Sequence, residues 1–185
     1  MYRRQLQILS VLVAFAAVAL IGGLNAFGAP KDDVVFATPS RTTAAGAASE
    51  TITIALPKGF TGPASVKLSS SSGSGVFRDT TDTATVTSVT IASGQTQTSF
   101  RYRDSVAGKP TLTATAMSTA AKKQWNGNIN GSQQETVVAA ALDHMTLSPS
   151  SATVASGGKQ FYTATGFDKF NNSRGDVTAG TTFAI

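Results

Sequence analysis

The sequence predicts an all-β fold, built as β-sandwich modules in tandem with the second module incomplete. Three observations carry that prediction. Apolar residues after position 30 recur with a period of two rather than 3.6. Clusters of Gly, Pro, Ser and Asn punctuate the alternation at short intervals. No segment beyond the first 30 residues sustains an amphipathic helical pattern.

The strands can be taken in order. In Thr51–Leu56, the apolar Ile52, Ile54 and Leu56 alternate with small or polar residues. Val66 and Leu68 repeat the pattern, as do Val89 and Ile91, Phe100 and Tyr102, and Leu112, Ala114 and Ala116. Successive side chains on a strand point to opposite faces, so these residues form the expected core. Arg101 and Arg103 then face solvent. Turns fall at Pro57-Lys58-Gly59, Thr61-Gly62-Pro63, Ser72-Gly73-Ser74-Gly75, Ala92-Ser93-Gly94 and Ala107-Gly108-Lys109-Pro110. About seven short strands at this spacing make one sandwich over residues 32–141. Ala116–Lys123 reads as a short turn of helix and Trp125–Gly131 as a hairpin loop. Gln134–Ala140 is the returning strand and the link to the next module.

Residues 142–185 open a second module. Met145 and Leu147 alternate ahead of Pro149, and Val154 precedes the turn Ser156-Gly157-Gly158. Phe161–Phe167 is a strand with Tyr162 and Ala164 inward. Asp168–Asp176 is a polar connection, and Phe183 and Ile185 begin a further strand. A sandwich of this kind needs about 100 residues. The segment therefore reads as the N-terminal part of a module, with free edges and an uncovered apolar face, and the chain as a fragment of a longer protein.

The first 28 residues read as a secretory signal. Arg3 and Arg4 supply the positive start, Ile8–Leu24 is apolar apart from Ser10, Gly22 and Gly23, and Ala26-Phe27-Gly28 places small residues for cleavage after Gly28. The rival reading is an uncleaved anchor, and a membrane would be met only through this leader. Either way the remainder is secreted or at the cell surface. Net charge is +5, and the leader arginines account for two of those charges. The rest are scattered, with Lys122-Lys123 the one adjacent basic pair, which is not the concentrated stripe a nucleic-acid surface needs. The absence of cysteine excludes disulfides, thiolate zinc sites and a lipid-modified N-terminal cysteine.

Several runs carry a resemblance to a known family. They are Leu147-Ser148-Pro149, Ala152–Gly158, Gln160–Asp168 and Asp176-Val177-Thr178 in the second module. In the first they are Ser88–Gly94, Phe100-x-Tyr102-x-Asp104 and Ala107–Ala114. The chain resembles bacterial immunoglobulin-like domains of the invasin/intimin-like and surface-layer-associated group. Asn171-Asn172 stands where that family usually has Gly-Asn. The resemblance implies an immunoglobulin-like sandwich in both modules. It also implies a role as a cell-surface spacer, an adhesin or an accessory module.

Candidate chemistry is sparse. His144 is the one histidine and has no evident serine and carboxylate partners, so it reads as structural. Asp168, Asn171, Asn172 and Asp176 form an oxygen-rich loop of the kind calcium uses, though without the spacing of a helix–loop–helix calcium site. The same residues are common in turns. No other cofactor is implied. Arg174-Gly175-Asp176 spells an integrin-type tripeptide on an expected loop, a match short enough to be fortuitous. Trp125, in a polar loop, could stack on a sugar ring or pack onto the end of the sandwich. Tyr102 is expected in the core with its hydroxyl bonded near a corner. Asn130-Gly131-Ser132 and Asn171-Asn172-Ser173 are glycosylation sequons.

The expectation is a non-catalytic structural or adhesion module of a bacterial surface protein, not an enzyme. Its partners would be neighbouring immunoglobulin-like domains of the same chain and, beyond them, a host surface protein or polysaccharide. The alternative is a carbohydrate- or protein-binding accessory domain of a secreted hydrolase.

Overall fold

The computed structural model describes residues 33–120, 125 and 127–184. The leader, the pair Lys122-Lys123 and Ile185 lie outside the described residues. The fold is all-β, and the described residues hold no α-helix.

Two sheets face each other over residues 33–138. One contains β1 (Val35–Phe36), β3 (Ile52–Ala55), β8 (Gln97–Arg103), β5 (Val76–Arg78) and β6 (Thr85–Val86), side by side in that order. The other contains β10 (Ile129–Gln134), β9 (Thr111–Ser118), β4 (Ala64–Ser70) and β7 (Ser88–Ile91), again in lateral order. Pairing within both is antiparallel. The alternation in the sequence is met strand by strand. Ile52, Ile54, Phe100 and Tyr102 point inward from the first sheet, and Val66, Leu68, Ile91, Leu112, Ala114 and Ala116 from the second. Val89 is only half-buried at the core's margin, because β7 is an edge strand. Phe77 meets Phe100 edge-on at 5.5 Å and leans on Tyr102 at 5.4 Å. Arg101 and Arg103 lie on the outer face, where Arg78 and Arg103 share Asp82.

Three elements differ from the expectation. The strand β9 continues through Ser118, so no helical turn begins at Ala116; Ala116 and Ser118 remain buried by the alternation that buries Leu112. The hairpin loop is shorter than expected, because Ile129 is buried and already pairs with Ala116. The chain also forms strands before Thr51. β1 pairs with β3, and β2 (Thr42–Ala44) runs parallel to β11 (Thr136–Val138). Short strands rich in small residues leave little periodic signal. The switch from β10 to β11 turns on Glu135, which is buried. Its carboxylate accepts the Arg41 amide at 2.7 Å and the Gln133 side chain at 2.6 Å.

The second unit is a three-stranded antiparallel sheet of β12 (Leu142–Ser148), β13 (Thr163–Asp168) and β14 (Ser173–Asp176), with β13 central. The expected strand at Phe161 begins two residues later, and Phe161 is 84% exposed. Residues 181–184 do not form the expected further strand, since they pair with no strand among the described residues; they follow a 3-10 turn at Thr178–Gly180. This turn half-covers the apolar face. Val177 packs on Gly166, the Thr178 hydroxyl accepts the Ala164 amide at 2.8 Å, and Phe183 leans on Tyr162 at 6.3 Å. Ala164 is fully buried beneath it, whereas Met145 and Leu147 stay exposed.

Candidate functional site

The polar loop that the sequence offers as a calcium site is the joint between the two units. It begins where β13 ends. Asp168 and Asn172 close a tight turn, the Asp168 amide donating to the Asn172 carbonyl at 3.0 Å and the Asn171 amide to the Asp168 carbonyl at 2.9 Å. Asn171 takes φ of 64°, a left-handed conformation that asparagine tolerates better than most residues. The turn folds the Asp168 side chain back over its own loop.

The Asp168 side chain is completely buried, yet its carboxylate is saturated with donors. Oδ1 accepts the backbone amides of Phe170 and Asn172, each at 2.9 Å. Oδ2 accepts the Asn172 carboxamide at 2.9 Å and the Ala140 amide, from the linker, at 2.8 Å. Burial pushes this carboxyl up. The hydrogen bonds from the Asn172 side chain and the Ala140, Asn172 and Phe170 amides outweigh that and hold it at about 2. It is therefore a charged, fully bonded hub at neutral pH.

Asn172 carries the contact across. Its Oδ1 accepts the Ala107 amide at 2.8 Å, and its Nδ2 donates to the Ser105 carbonyl at 2.8 Å. Both belong to the loop between β8 and β9 of the sandwich. Phe170 completes the joint by packing against the sandwich core over Gly46. A Cβ at Gly46 would stand 2.3 Å from the Phe170 ring, and Gly46 has φ of 77°, so the position requires glycine twice over. Arg174 donates to the Ala140 carbonyl, so the linker peptide is gripped on its N–H by Asp168 and on its C=O by Arg174.

In this structure the loop is organised as a turn, the other reading of these residues. The four residues do not converge. N–H groups aimed at the Asp168 oxygens occupy the positions a cation would take. Asn171 is exposed on the turn, and the exposed Asp176 spends its Oδ1 on the Thr178 amide at 2.8 Å. Among the described residues no group of three or more His, Cys, Asp or Glu side chains comes together.

The remaining candidates can be placed. Trp125 is not an exposed platform. It is 8% exposed and meets Phe60 edge-on at 5.2 Å, closing the end of the sandwich away from the joint. The integrin-type tripeptide lies in β14 rather than on a loop, with Arg174 committed to the linker carbonyl. His144 stacks on Phe167 at 5.5 Å and pairs with Asp143 at 3.0 Å. Tyr102 is buried, with its hydroxyl donating to Asp104 at 2.7 Å and 2.8 Å from the Ser70 hydroxyl. Sequence reasoning missed Phe170, Gly46, Ser105, Ala107 and Ala140. The Asp168-x-x-x-Asn172 spacing was the one usable signal, since it lets a carboxylate cap its own turn.

No helix among the described residues is long and apolar enough to cross a membrane. No protein-family model matches the sequence, nor does any curated protein. Among solved structures the chain is similar to the S-layer protein SbsC. It is 15% identical to rSbsC(31-844), with a TM-score of 0.38 over 78% of this chain and 17% of that one. It is 16% identical to SbsC domains 1-6, with the same TM-score and the same coverage of both chains. Against SbsC domains 4 and 5 the identity is 16% and the TM-score 0.37, over 57% of this chain and 44% of that one. The chain thus spans less than a fifth of the length of the longer neighbours.

Proposed function

We propose that the chain is a non-catalytic structural part of an extracytoplasmic protein, in which a β-sandwich holds the next β unit at a set angle. The observation that carries this reading is the joint. A spacer has to resist bending between its units. Here the linker amide and the loop after β8 are hydrogen-bonded to one turn of the second unit, the linker carbonyl to Arg174 of β14, and an aromatic ring is seated against the sandwich core. Opening the joint would break both bonds from Asn172 to the loop after β8, unseat Phe170 from the core and strain the Ala140 amide held by the buried Asp168 carboxylate. That is a large polar rearrangement for a small angular change.

Two further features support the same reading. The lateral orders β1-β3-β8-β5 and β10-β9-β4, with β6 and β7 at the edges, support an immunoglobulin-like reading of the two sheets. The Arg3-Arg4 start, the apolar run and Ala26-Phe27-Gly28 favour export, and the absence of cysteine places the whole mechanical burden on the core and the hydrogen bonds.

Nitrogen-15 relaxation of the exported chain tests the proposal. Both units should tumble with one rotational correlation time, and Asn172→Ala should end that common tumbling while the sandwich keeps its own amide spectrum. Independent tumbling in the unaltered chain would overturn the spacer reading.

A further inference from the structure

The two sides of the sandwich are finished differently. On one side β1 and β10 meet, the Val34 amide donating to the Asn130 carbonyl at 3.2 Å, so the sheets are stitched together there. On the other side the chain runs from β6 through Thr87 into β7 and is the outermost strand of both sheets. This run, Thr85-Val86-Thr87-Ser88-Val89-Thr90-Ile91, is rich in β-branched residues, and from Thr83 to Gln95 the chain carries no charge and no proline. β7 holds an unbroken register with β4, from Lys67 opposite Ser88 to Ala64 opposite Ile91. Charge, proline and bulges are the devices that protect a free edge from pairing with another chain, and β7 has none of them.

Which backbone groups face outward follows from the ladder. In an antiparallel pair, opposed residues alternate between hydrogen-bonded and non-bonded. The Leu68 amide donates to the Thr87 carbonyl at 2.9 Å, so Leu68 and Thr87 are a bonded pair. Counting along the register, Val66–Val89 and Ala64–Ile91 are bonded, and Lys67–Ser88 and Ser65–Thr90 are not. The N–H and C=O of Ser88 and of Thr90 therefore point away from β4. Both residues are exposed, and among the described residues no loop or side chain meets these groups. Val89 between them, and Val86 before them, are half-open at the margin of the core.

We propose that this edge pairs antiparallel with the same edge of a second copy of the chain, about a two-fold axis through Val89. The edge itself specifies the occupant. A partner strand needs outward backbone groups two residues apart, an apolar residue between them on the inner face, and no cation facing Lys67. β7 meets all three requirements. About that axis Ser88 lies opposite the second copy's Thr90, and Thr90 opposite its Ser88, each pair exchanging two N–H···O=C bonds. The two Val89 residues form the non-bonded pair between them, with Cα atoms about 4.5 Å apart, and each side chain covers the open side of the other. Lys67, exposed beside Ser88, looks across to the copy's Thr90 and Ser65 rather than to its Lys67. From strand spacing and residue rise the two lysines stand about 16 Å apart, beyond the Debye length of about 8 Å. The pairing joins two four-stranded sheets into one. It rests on the sandwich alone and is independent of the joint.

The test is sedimentation equilibrium of the exported chain over a concentration series, with single-cysteine reporters placed in a chain that has no cysteine of its own. The unaltered chain should pass from one chain mass to two as concentration rises. Ser88→Pro removes an outward amide and no bond to β4, so it should leave the far-ultraviolet spectrum unchanged and raise the dissociation constant about tenfold or more. Thr90→Lys keeps the strand free of proline and should weaken the dimer as well, by adding a charge to the edge. Val89→Cys, at the axis, should oxidise to a covalent dimer faster than Ser88→Cys, although Ser88 is the more exposed residue. Three outcomes would each overturn the proposal: a single chain mass at every concentration, a dimer that neither edge variant weakens, or faster cross-linking through Ser88→Cys than through Val89→Cys.

Discussion

Replacing Phe100 by alanine tests the sandwich at its centre. Phe100 is fully buried on β8, pairs across the backbone with Ile52 and meets Phe77 edge-on at 5.5 Å and 75°. Removing a buried phenyl ring costs about 3–5 kcal/mol, from lost transfer free energy and the cavity left behind. The edge-on contact with Phe77 accounts for about 0.5–1.5 kcal/mol of that. The flanking strands β3 and β5 are each held by ladder bonds on both sides, so the site cannot collapse freely and the upper part of the range applies. Small domains are stable by only about 5–15 kcal/mol, so this single change removes a large share. Urea unfolding followed by far-ultraviolet circular dichroism reads it directly. With a slope of about 2 kcal/mol per molar, a 4 kcal/mol loss lowers the midpoint by about 2 M at unchanged slope. A loss below about 1 kcal/mol would refute the inward assignment of this strand, and with it the period-two reading of the core.

Other perturbations probe the remaining parts. Tyr102→Phe should cost about 1–3 kcal/mol in the same unfolding experiment, because it leaves the buried Asp104 Oδ2 short of a donor. Burial also raises the Tyr102 phenol above its ordinary 10.0. A raised folded value means stability present below about 10 and lost as pH rises past it, so alkaline unfolding should begin there and move upward in Tyr102→Phe. Asp168, held at about 2, has the opposite sign: its contribution is full above the ordinary 3.8 and disappears as pH falls through about 2. An acid titration should therefore release the joint between about pH 4 and 2, and Asp168→Asn should remove that transition from the tumbling data. Trp125→Ala should destabilise the sandwich by about 3–5 kcal/mol, measured by urea unfolding, since Trp125 packs on Phe60. Gly46→Ala should separate the tumbling of the two units, because a Cβ there meets the Phe170 ring.

The core was legible because it depends on a local rule. Ile52, Ile54, Phe100, Tyr102 and Leu112 sit on alternating positions, and alternation is a property of the strand itself. β1 and β2 were not legible for the converse reason: Thr42-Thr43-Ala44 becomes a strand only because Thr136-Val137-Val138 returns beside it from far along the chain. The oxygen-rich loop was found, but the sequence left calcium and turn chemistry both open. Sequence supplies the acceptors, Asp168 and Asn172. It does not reveal that the donors facing them are backbone amides of Ala140 and Ala107, whose side chains carry no polar signature. For Trp125 the sequence left two readings open, and packing onto the end of the sandwich is the one its position matches. A polar loop around a tryptophan suggests exposure, while the ring that buries it, Phe60, belongs to a turn 65 positions earlier.

The joint matters because the two units cover their apolar faces differently. In the sandwich, the apolar face of each sheet is covered by the other, and the early strand β2 is closed by the late strand β11. The second unit keeps the early features, namely the antiparallel first pair and the left-handed glycine turn, but covers only Ala164 and Gly166, with its 3-10 turn. What order it has beyond that comes from the sandwich. The hub at Asp168 ties the end of β13 to the linker and to the loop after β8, so the central strand of the small sheet is anchored at the end nearest the joint. The opposite end, at Phe161 and Ala152–Ser156, has no such anchor and is exposed. Ordering should therefore decline along β13 away from Asp168, because each residue fixed costs about 1–2 kcal/mol and only the joint end meets that cost with buried contacts. Hydrogen exchange should show protection falling from Phe167 toward Thr163, and the gradient should flatten in Asn172→Ala. Uniform protection along β13 in both chains would mean that the small sheet is stable by itself and that the joint merely connects two independent bodies.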